Sequence, residues 1–250
     1  MNTEPYVQDI LANLSIIRHR IQVASAKAGR PANDVDLLLA TKTVPAEKIQ
    51  VTIDAGVHLI GENKVQELKE KDYLLGTLPV ERHFIGHLQT NKIKDVLKYV
   101  SCIQSVDRIE LAEKLDSRLR FEGRTIDVLV QVNTSFEESK FGAHPNEAIA
   151  LIEKVKRFDT LRVKGLMTIG LFDADPEKVR PSFRLLRQIR DEALEKGWLT
   201  PGQAALSMGM SGDLETAIEE GATMVRVGTA LFGKRQYPDS YYWNENKQVT

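Results

Sequence analysis

Lys42 stands at the end of a nearly continuous apolar run, Leu37-Leu38-Leu39-Ala40-Thr41-Lys42. A buried strand has little use for an amine unless its end opens into a site. There, partly desolvated, a lysine has a lowered pKa and can form a Schiff base with a carbonyl. The bland alternative is a lysine just past the strand that reaches solvent. A second stretch reads Ser207-Met208-Gly209-Met210-Ser211-Gly212-Asp213-Leu214-Glu215, and a third Arg226-Val227-Gly228-Thr229-Ala230. The former is a strand, a glycine-containing turn and a helix start. Its free backbone N–H groups, the Ser211 hydroxyl and the helix dipole all suit an anion. The latter is a strand end where Gly228 permits close approach and Thr229 offers a hydroxyl. Together they read as a phosphate cup; separately, each also reads as an ordinary turn with a helix cap. Arg226 is a charge inside a strand and needs a partner, either a ligand's ring nitrogen or a carboxylate.

Elements that could hold these residues follow from periodicity. Ile10, Leu11, Leu14, Ile17, Ile21 and Ala24 recur at helical spacing, which predicts a helix over about 4–28, stopped by Gly29. Beyond it, short apolar runs predict strands at 36–40, 58–60, 83–85, 102–105, 127–132, 162–166, 205–207 and 224–227. Amphipathic stretches predict helices at 46–55, 64–75, 90–99, 107–122, 145–158, 176–196 and 213–220. Asp107 and Asp213 suit N-caps, Pro145 and Pro176 first turns, and Gly56, Gly123, Gly197 and Gly221 helix ends. Eight strands alternating with helices predict an α/β fold, a single (β/α)8 TIM barrel with an extra N-terminal helix; an open doubly wound sheet is the alternative. In a closed barrel, strand 1 neighbours strand 8, so Lys42 and the cup share a rim. An aldehyde for the lysine and a phosphate for the cup together describe pyridoxal 5′-phosphate (PLP).

Composition narrows the class. The chain has 250 residues, 42% hydrophobic and 28% charged, which fits a globular domain. With 34 Lys+Arg against 35 Asp+Glu it lacks the basic excess of a general nucleic-acid binder. A single cysteine, Cys102, leaves no internal disulfide or multi-cysteine zinc site. No run of ~18 apolar residues predicts a membrane span, and the first residues lack a signal pattern. A soluble cytoplasmic protein is expected, with the barrel over 1–235 and a polar, aromatic tail over 236–250 that contains Tyr237, Tyr241, Tyr242 and Trp243.

Six stretches in order carry a family resemblance: Leu38-Leu39-Ala40-Thr41-Lys42-Thr43, Gly61-Glu62-Asn63-Lys64-Val65-Gln66-Glu67, His83 to Lys92, Gly165-Leu166-Met167-Thr168, Ser207 to Ser211, and Val225 to Thr229. They resemble the YggS/PROSC family of PLP homeostasis proteins over about Ile10 to Arg235. The resemblance implies a fold-type III PLP barrel like that of bacterial alanine racemase. It implies that Lys42 carries the aldimine and that Arg226 faces the pyridine nitrogen. It implies phosphate contacts from Ser211, Gly228 and Thr229 with backbone help near Met210, and a lining of Asn63, His87 and Met167. Ser207, at the head of the cup stretch, joins the cofactor-binding set. One departure is the loop Ile169-Gly170-Leu171-Phe172, which lacks a proline often found there.

The remaining features have plainer readings. Gly61-Glu62-Asn63 alone reads as a helix-capping turn. His83 reads as a core or barrel-lining histidine, Cys102 as a small buried hydrophobe, and Ser139-Lys140-Phe141-Gly142 as a lid or a loop. Lys92, Lys94 and Lys98 read as a solvated helix face. No metal-ligand spacing occurs. Three functions remain open: a PLP carrier or buffer with apo PLP enzymes as recipients, a PLP-dependent amino-acid racemase, or a barrel enzyme acting on a phosphorylated metabolite. A racemase pairs its barrel with a second domain for which this chain has no room, and an arginine at the ring nitrogen makes a weaker electron sink, although racemases also work with one there. A monomeric, non-enzymatic PLP-binding protein is expected.

Overall fold

The structure, a computed structural model, describes residues 4–233; the expected tail and the ends of the expected domain lie outside them. Eight parallel strands close into a barrel in chain order: β1 Asp36–Ala40, β2 Leu59–Glu62, β3 Glu81–Phe84, β4 Cys102–Val106, β5 Ile126–Gln131, β6 Leu161–Met167, β7 Ala205–Ser207 and β8 Met224–Val227. Closure is made by β1 and β8, with Leu38 opposite Arg226 and Leu39 opposite Val227. The open doubly wound alternative is thereby excluded.

The helices are α1 Pro5–Lys27, α2 Ala46–Asp54, α3 Val65–Leu75, α4 Ile93–Val96, α5 Ile109–Glu122, α6 Pro145–Val155, α7 Pro176–Glu195, α8 Leu214–Glu219 and α9 Thr229–Phe232. The expected helix at 90–99 is a 3₁₀ turn, Thr90–Lys92, followed by the single turn α4. Its far end tightens again, with Lys98 N bonded to Asp95 O and Tyr99 N to Val96 O, so three-residue spacing replaces the expected α-helical one. The turn α9 was not expected. Pro145 and Pro176 do open their helices, and Gly123 ends α5 in the left-handed conformation. Asp107 and Asp213 do not cap with their side chains; both carboxylates are engaged elsewhere at the barrel rim.

Period-two alternation sorts the wall into two faces. One face holds small apolar clusters: Leu38, Leu59 and Met224 with Ile85, and Cys102, Leu129 and Met167. The alternate residues, including Leu39, Ile60, Phe84, Ile103, Val128 and Val225, join the large core shared with the helices. The first set therefore lines the interior. Helix α1 adds Ile10, Leu14, Ile17 and Ile21 to that outer core. Each such side chain contributes ~1.5–3 kcal/mol on burial, so α1 is bound to the barrel rather than appended to it. Among the described residues, no helix is long and apolar enough to cross a membrane.

Candidate functional site at the C-terminal rim of the barrel

Lys42 follows the last ladder bond of β1, Thr41 N–H to Gly61 O at 3.0 Å. It lies two steps of two beyond the inward-facing Leu38 and is only 8% exposed. Counting the same way, Asn63 follows Leu59, and His87 follows His83 and Ile85. Arg226 and Gly228 follow Met224. Ser207 pairs with Met224 on one side and with Met167 on the other. The interior parity of six strands thus gathers Lys42, Asn63, His87, Met167, Ser207, Arg226 and Gly228 on one face. Asn63 caps no helix, contrary to the capping-turn reading: the N-cap of α3 is Lys64, with no side-chain bond. The backbone of Asn63 instead lies against Gly86, where a Cβ would come within 2.1 Å of Asn63 O.

Arg226 is 5% exposed and crosses the barrel floor beneath the rim. One Nη donates to Ser207 Oγ at 2.9 Å and the other to Thr168 O at 2.7 Å. Ser207 Oγ donates to Gln104 Oε1 at 2.7 Å, and Gln104 Nε2 lies 2.7 Å from His83 Nδ1. Every donor has its acceptor when His83 is neutral with its proton on Nε2. Burial brings the Arg226 guanidinium down to about 10, against the pull of Asp213, and brings His83 down to about 4. At neutral pH the chain therefore begins at a cation and ends at a neutral imidazole.

The two segments expected to form a cup lie side by side. Ser211 Oγ accepts from Gly228 N at 3.4 Å and from Ala230 N at 3.2 Å. Met210 N donates to Asp213 Oδ1 at 2.5 Å, which is where the expected cap of α8 is engaged. Thr229 is at this rim with its side chain exposed. Gly209 is required by the turn: its φ is +89°, and a Cβ would lie 2.4 Å from Ala217 Cβ. Behind the cup, Arg20 of α1 holds Glu215 at 2.6 and 2.9 Å and donates to Ser211 O at 3.0 Å.

The far side of the same rim carries His87, stacked on Phe141 with centroids 3.7 Å apart. Its Nδ1 is buried without a hydrogen-bond partner and lies 3.6 Å from Asp107 Oδ2. The Ser139–Gly142 stretch is thus folded onto the rim. Lys140 Nζ bonds Gly170 O at 2.7 Å and pairs with Glu137, tying this loop to the proline-free one after β6. Met167 is 1% exposed and packs with Cys102 and Leu129; it contributes to the floor. Cys102 is buried, and burial pushes its thiol up, so it is an unreactive hydrophobe. Sequence reasoning missed Gln104, Arg20, Glu62, Glu67 and Lys71 as parts of this end of the molecule. Gln104 had a signal: it is a polar residue in a strand whose other face must also be buried.

A closed eight-stranded parallel barrel with a buried lysine just past β1 and hydroxyl-bearing glycine turns after β7 and β8 defines a class. The family model described as "Alanine racemase, N-terminal domain" matches residues 12–236. Alanine racemase of Clostridium difficile 630 shares the fold, with a TM-score of 0.71 at 16% identity, over 93% of this chain and 58% of the racemase. Within that class, the chain belongs to the family of pyridoxal phosphate homeostasis proteins. The member from Aquifex aeolicus is 46% identical over 224 residues, covering 90% of this chain and 97% of the relative. PipY of Synechococcus elongatus, solved with PLP bound, superimposes with a TM-score of 0.75 at 32% identity, over 87% of this chain and all of PipY.

Proposed function

We propose that this chain binds PLP at the C-terminal rim of its barrel and acts in PLP homeostasis as a carrier and buffer of the cofactor. The observation that carries the reading is one shared rim with three groups: the buried Lys42 amine, the buried Arg226 guanidinium, and the cradle of Ser211 with the Gly228 and Ala230 amides. PipY, a relative solved with PLP bound, supports it. When bound, PLP supplies an aldehyde that condenses reversibly with an amine, a dianionic phosphate and a ring nitrogen.

The residues fit that group. Lys42 is the amine. The Ser211 hydroxyl and the two amides are turned toward one another at 3.2–3.4 Å, so small rotations aim all three at one anion. Thr229 and the backbone near Met210 complete the cup. Arg226, held by Ser207, would face the ring nitrogen. Asn63 and His87 line the sides and Met167 the floor.

The same residues favour carriage over turnover. Arg226 remains protonated at neutral pH even at about 10, so it donates a hydrogen bond and keeps its proton, which leaves the ring a weak electron sink. His87, the imidazole beside the site, is stacked on Phe141, with its Nδ1 3.6 Å from Asp107 Oδ2. We assign no catalytic residue. The names of the relatives support homeostasis. Apo PLP enzymes are the proposed recipients, and the proposed form is a cytoplasmic monomer.

The test mixes PLP-loaded protein with an apo PLP enzyme and follows reactivation, beside a chiral assay on alanine and other amino acids. Reactivation is expected, with negligible racemisation. Borohydride should fix PLP on the Lys42 peptide, and Lys42→Ala should remove both the visible band and the adduct. Rapid racemisation abolished by Lys42→Ala would overturn the carrier reading in favour of the enzyme; an adduct on another lysine would overturn the site.

A further inference from the structure

A buried charge cluster lies directly behind Lys42, on the opposite face of the barrel wall. Glu62, the last residue of β2, faces outward toward α3 and is 1% exposed. Its Oε1 accepts from Lys71 Nζ at 2.6 Å and from Thr41 Oγ1 at 2.6 Å. Lys71 Nζ also donates to Glu67 Oε2 at 2.8 Å and to Thr41 O at 2.8 Å. Glu67 Oε2 in turn accepts from the Thr43 N–H at 2.6 Å. The Thr41 carbonyl belongs to the peptide preceding Lys42, and the Thr43 N–H belongs to the peptide following it. One lysine–glutamate pair therefore grips both peptide groups on either side of the Lys42 Cα.

The backbone there is strained. Thr43 has φ +63°, and among the described residues only Phe136 shares a positive φ without being glycine. A β-branched residue rarely adopts this region, and it persists only where surrounding contacts over-determine it. Val44 N–H donates to Thr41 O at 3.0 Å and closes a turn across Lys42 and Thr43; the side-chain contacts that hold this turn are those of Glu67 and Lys71. Relaxing Thr43 to an extended conformation would swing the chain after Lys42 and re-aim the Lys42 side chain.

We propose that Glu62, Glu67 and Lys71 form a clamp of positioning residues that fixes the backbone on both sides of Lys42 and so aims its amine into the barrel. The proposal rests on the PLP reading only for what Lys42 meets there. Lys71 is itself a buried amine near the site, and its three bonds, to Glu62, Glu67 and Thr41 O, give it a structural role.

The test uses the full chain with Lys71→Met, Glu67→Ala and the conservative Glu67→Gln, which keeps an acceptor for the Thr43 N–H. Three quantities are read: hydrogen exchange at the Thr43 amide without ligand, the rate of the borohydride-fixed PLP adduct on Lys42, and affinity for pyridoxine 5′-phosphate, which lacks the aldehyde. In the parent protein Thr43 should be protected. In Lys71→Met and Glu67→Ala its exchange should rise at least tenfold and adduct formation fall at least tenfold. Pyridoxine 5′-phosphate affinity should stay within about threefold, since the cup is untouched, and Glu67→Gln should recover most of both losses. A variant that merely unfolds would lose pyridoxine 5′-phosphate as well, and Glu67→Gln then decides. An unprotected Thr43 in the parent, or adduct formation at the parent rate in Lys71→Met and Glu67→Ala, would overturn the clamp. A parent protein that protects Thr43 and takes no PLP on Lys42 would instead sink the PLP reading and leave the clamp standing.

Discussion

Arg226 and Ser207 are joined by a 2.9 Å hydrogen bond that sets the direction of every bond beyond it. Because the guanidinium can only donate, the serine must pass its own proton to Gln104, and Gln104 must in turn offer its amide N–H to His83. A cation beneath the rim is thereby held by neutral groups, which leaves its charge available to whatever lies above.

Breaking that chain at Gln104 should therefore reach Arg226. Gln104→Leu leaves the Ser207 hydroxyl without its acceptor and His83 Nδ1 without its donor, at ~1–3 kcal/mol per orphaned group. A fall in stability of about 2–6 kcal/mol is expected in denaturant titrations, with weaker PLP retention. Gln104→Glu puts an acceptor against His83 Nδ1, so the imidazole must move its proton from Nε2 to Nδ1 to keep the bond. Stability equal to the parent in Gln104→Leu would show that the chain does not hold Arg226.

The cup makes an unequal demand on its two hydroxyls. Ser211 Oγ is bonded to both amides of the cradle, whereas the Thr229 side chain is exposed. A charge-assisted hydrogen bond contributes ~1.5–3 kcal/mol. Ser211→Ala should weaken PLP about 10- to 100-fold, and Thr229→Val by clearly less. The double variant should lose most of the thermal stabilisation that PLP confers by linkage. Equal losses from the two single variants in equilibrium dialysis would contradict this geometry.

Two buried groups give stability opposite pH slopes in the same window. His83 falls from 6.5 to about 4 because burial disfavours its charged form. Between those values the unfolded chain holds the extra proton, so acidification from about 6.5 to 4 removes stability, up to about 3 kcal/mol. Glu62 rises from 4.5 to about 7, burial outweighing Lys71. Here the folded chain holds the extra proton, so stability is present below 4.5 and lost as pH rises through 7. From about 4.5 to 6.5 the slopes oppose. Glu62→Gln should unmask the histidine slope, with the melting temperature falling as pH drops below 6.5. His83→Gln should unmask the glutamate slope, with the melting temperature falling as pH rises toward 7. Identical pH profiles in the two variants would refute the assignment.

Much of this was legible in the residues, for physical reasons. The places of β1, β7 and β8 follow from short apolar runs bounded by Thr41, Gly209 and Gly228, because a parallel strand buried on both faces is mostly apolar; Ser207 and Arg226 break that pattern where the strands meet the site. The site's inward residues follow from parity once closure is known. The 90–99 segment misled because Ile93, Val96, Leu97 and Val100 are spaced as on a helix face while the backbone closes three-residue turns. Glu62 misled because it reads equally as a turn residue. Only the β2 register, Glu62 opposite Phe84, turns its side chain toward α3 and Lys71. Arg20 was invisible because its partner Glu215 lies 195 positions away.

That distant pair yields the last prediction. Arg20 reaches from α1 to the Ser211 carbonyl while gripping Glu215, the second residue of α8, so the extra helix braces the cup from outside. The pair is only partly buried, with side chains 28% and 41% exposed. An ion pair in such a setting contributes ~0.2–1 kcal/mol. Arg20→Ala should therefore lower the melting temperature by no more than about 4 °C. Its effect on the cup should be larger in kinetics, since Ser211 loses its anchor: PLP dissociation is expected to quicken about 3- to 10-fold. Glu215→Ala should act alike, and the double variant should be no worse than either single one, because residues in one network are not additive. Lys27→Ala is the control, for it breaks the Lys27–Glu219 pair at 2.6 Å on the same two helices without touching Ser211. If Lys27→Ala speeds PLP release as much as Arg20→Ala, the brace is general docking of α1 rather than a hold on the cup.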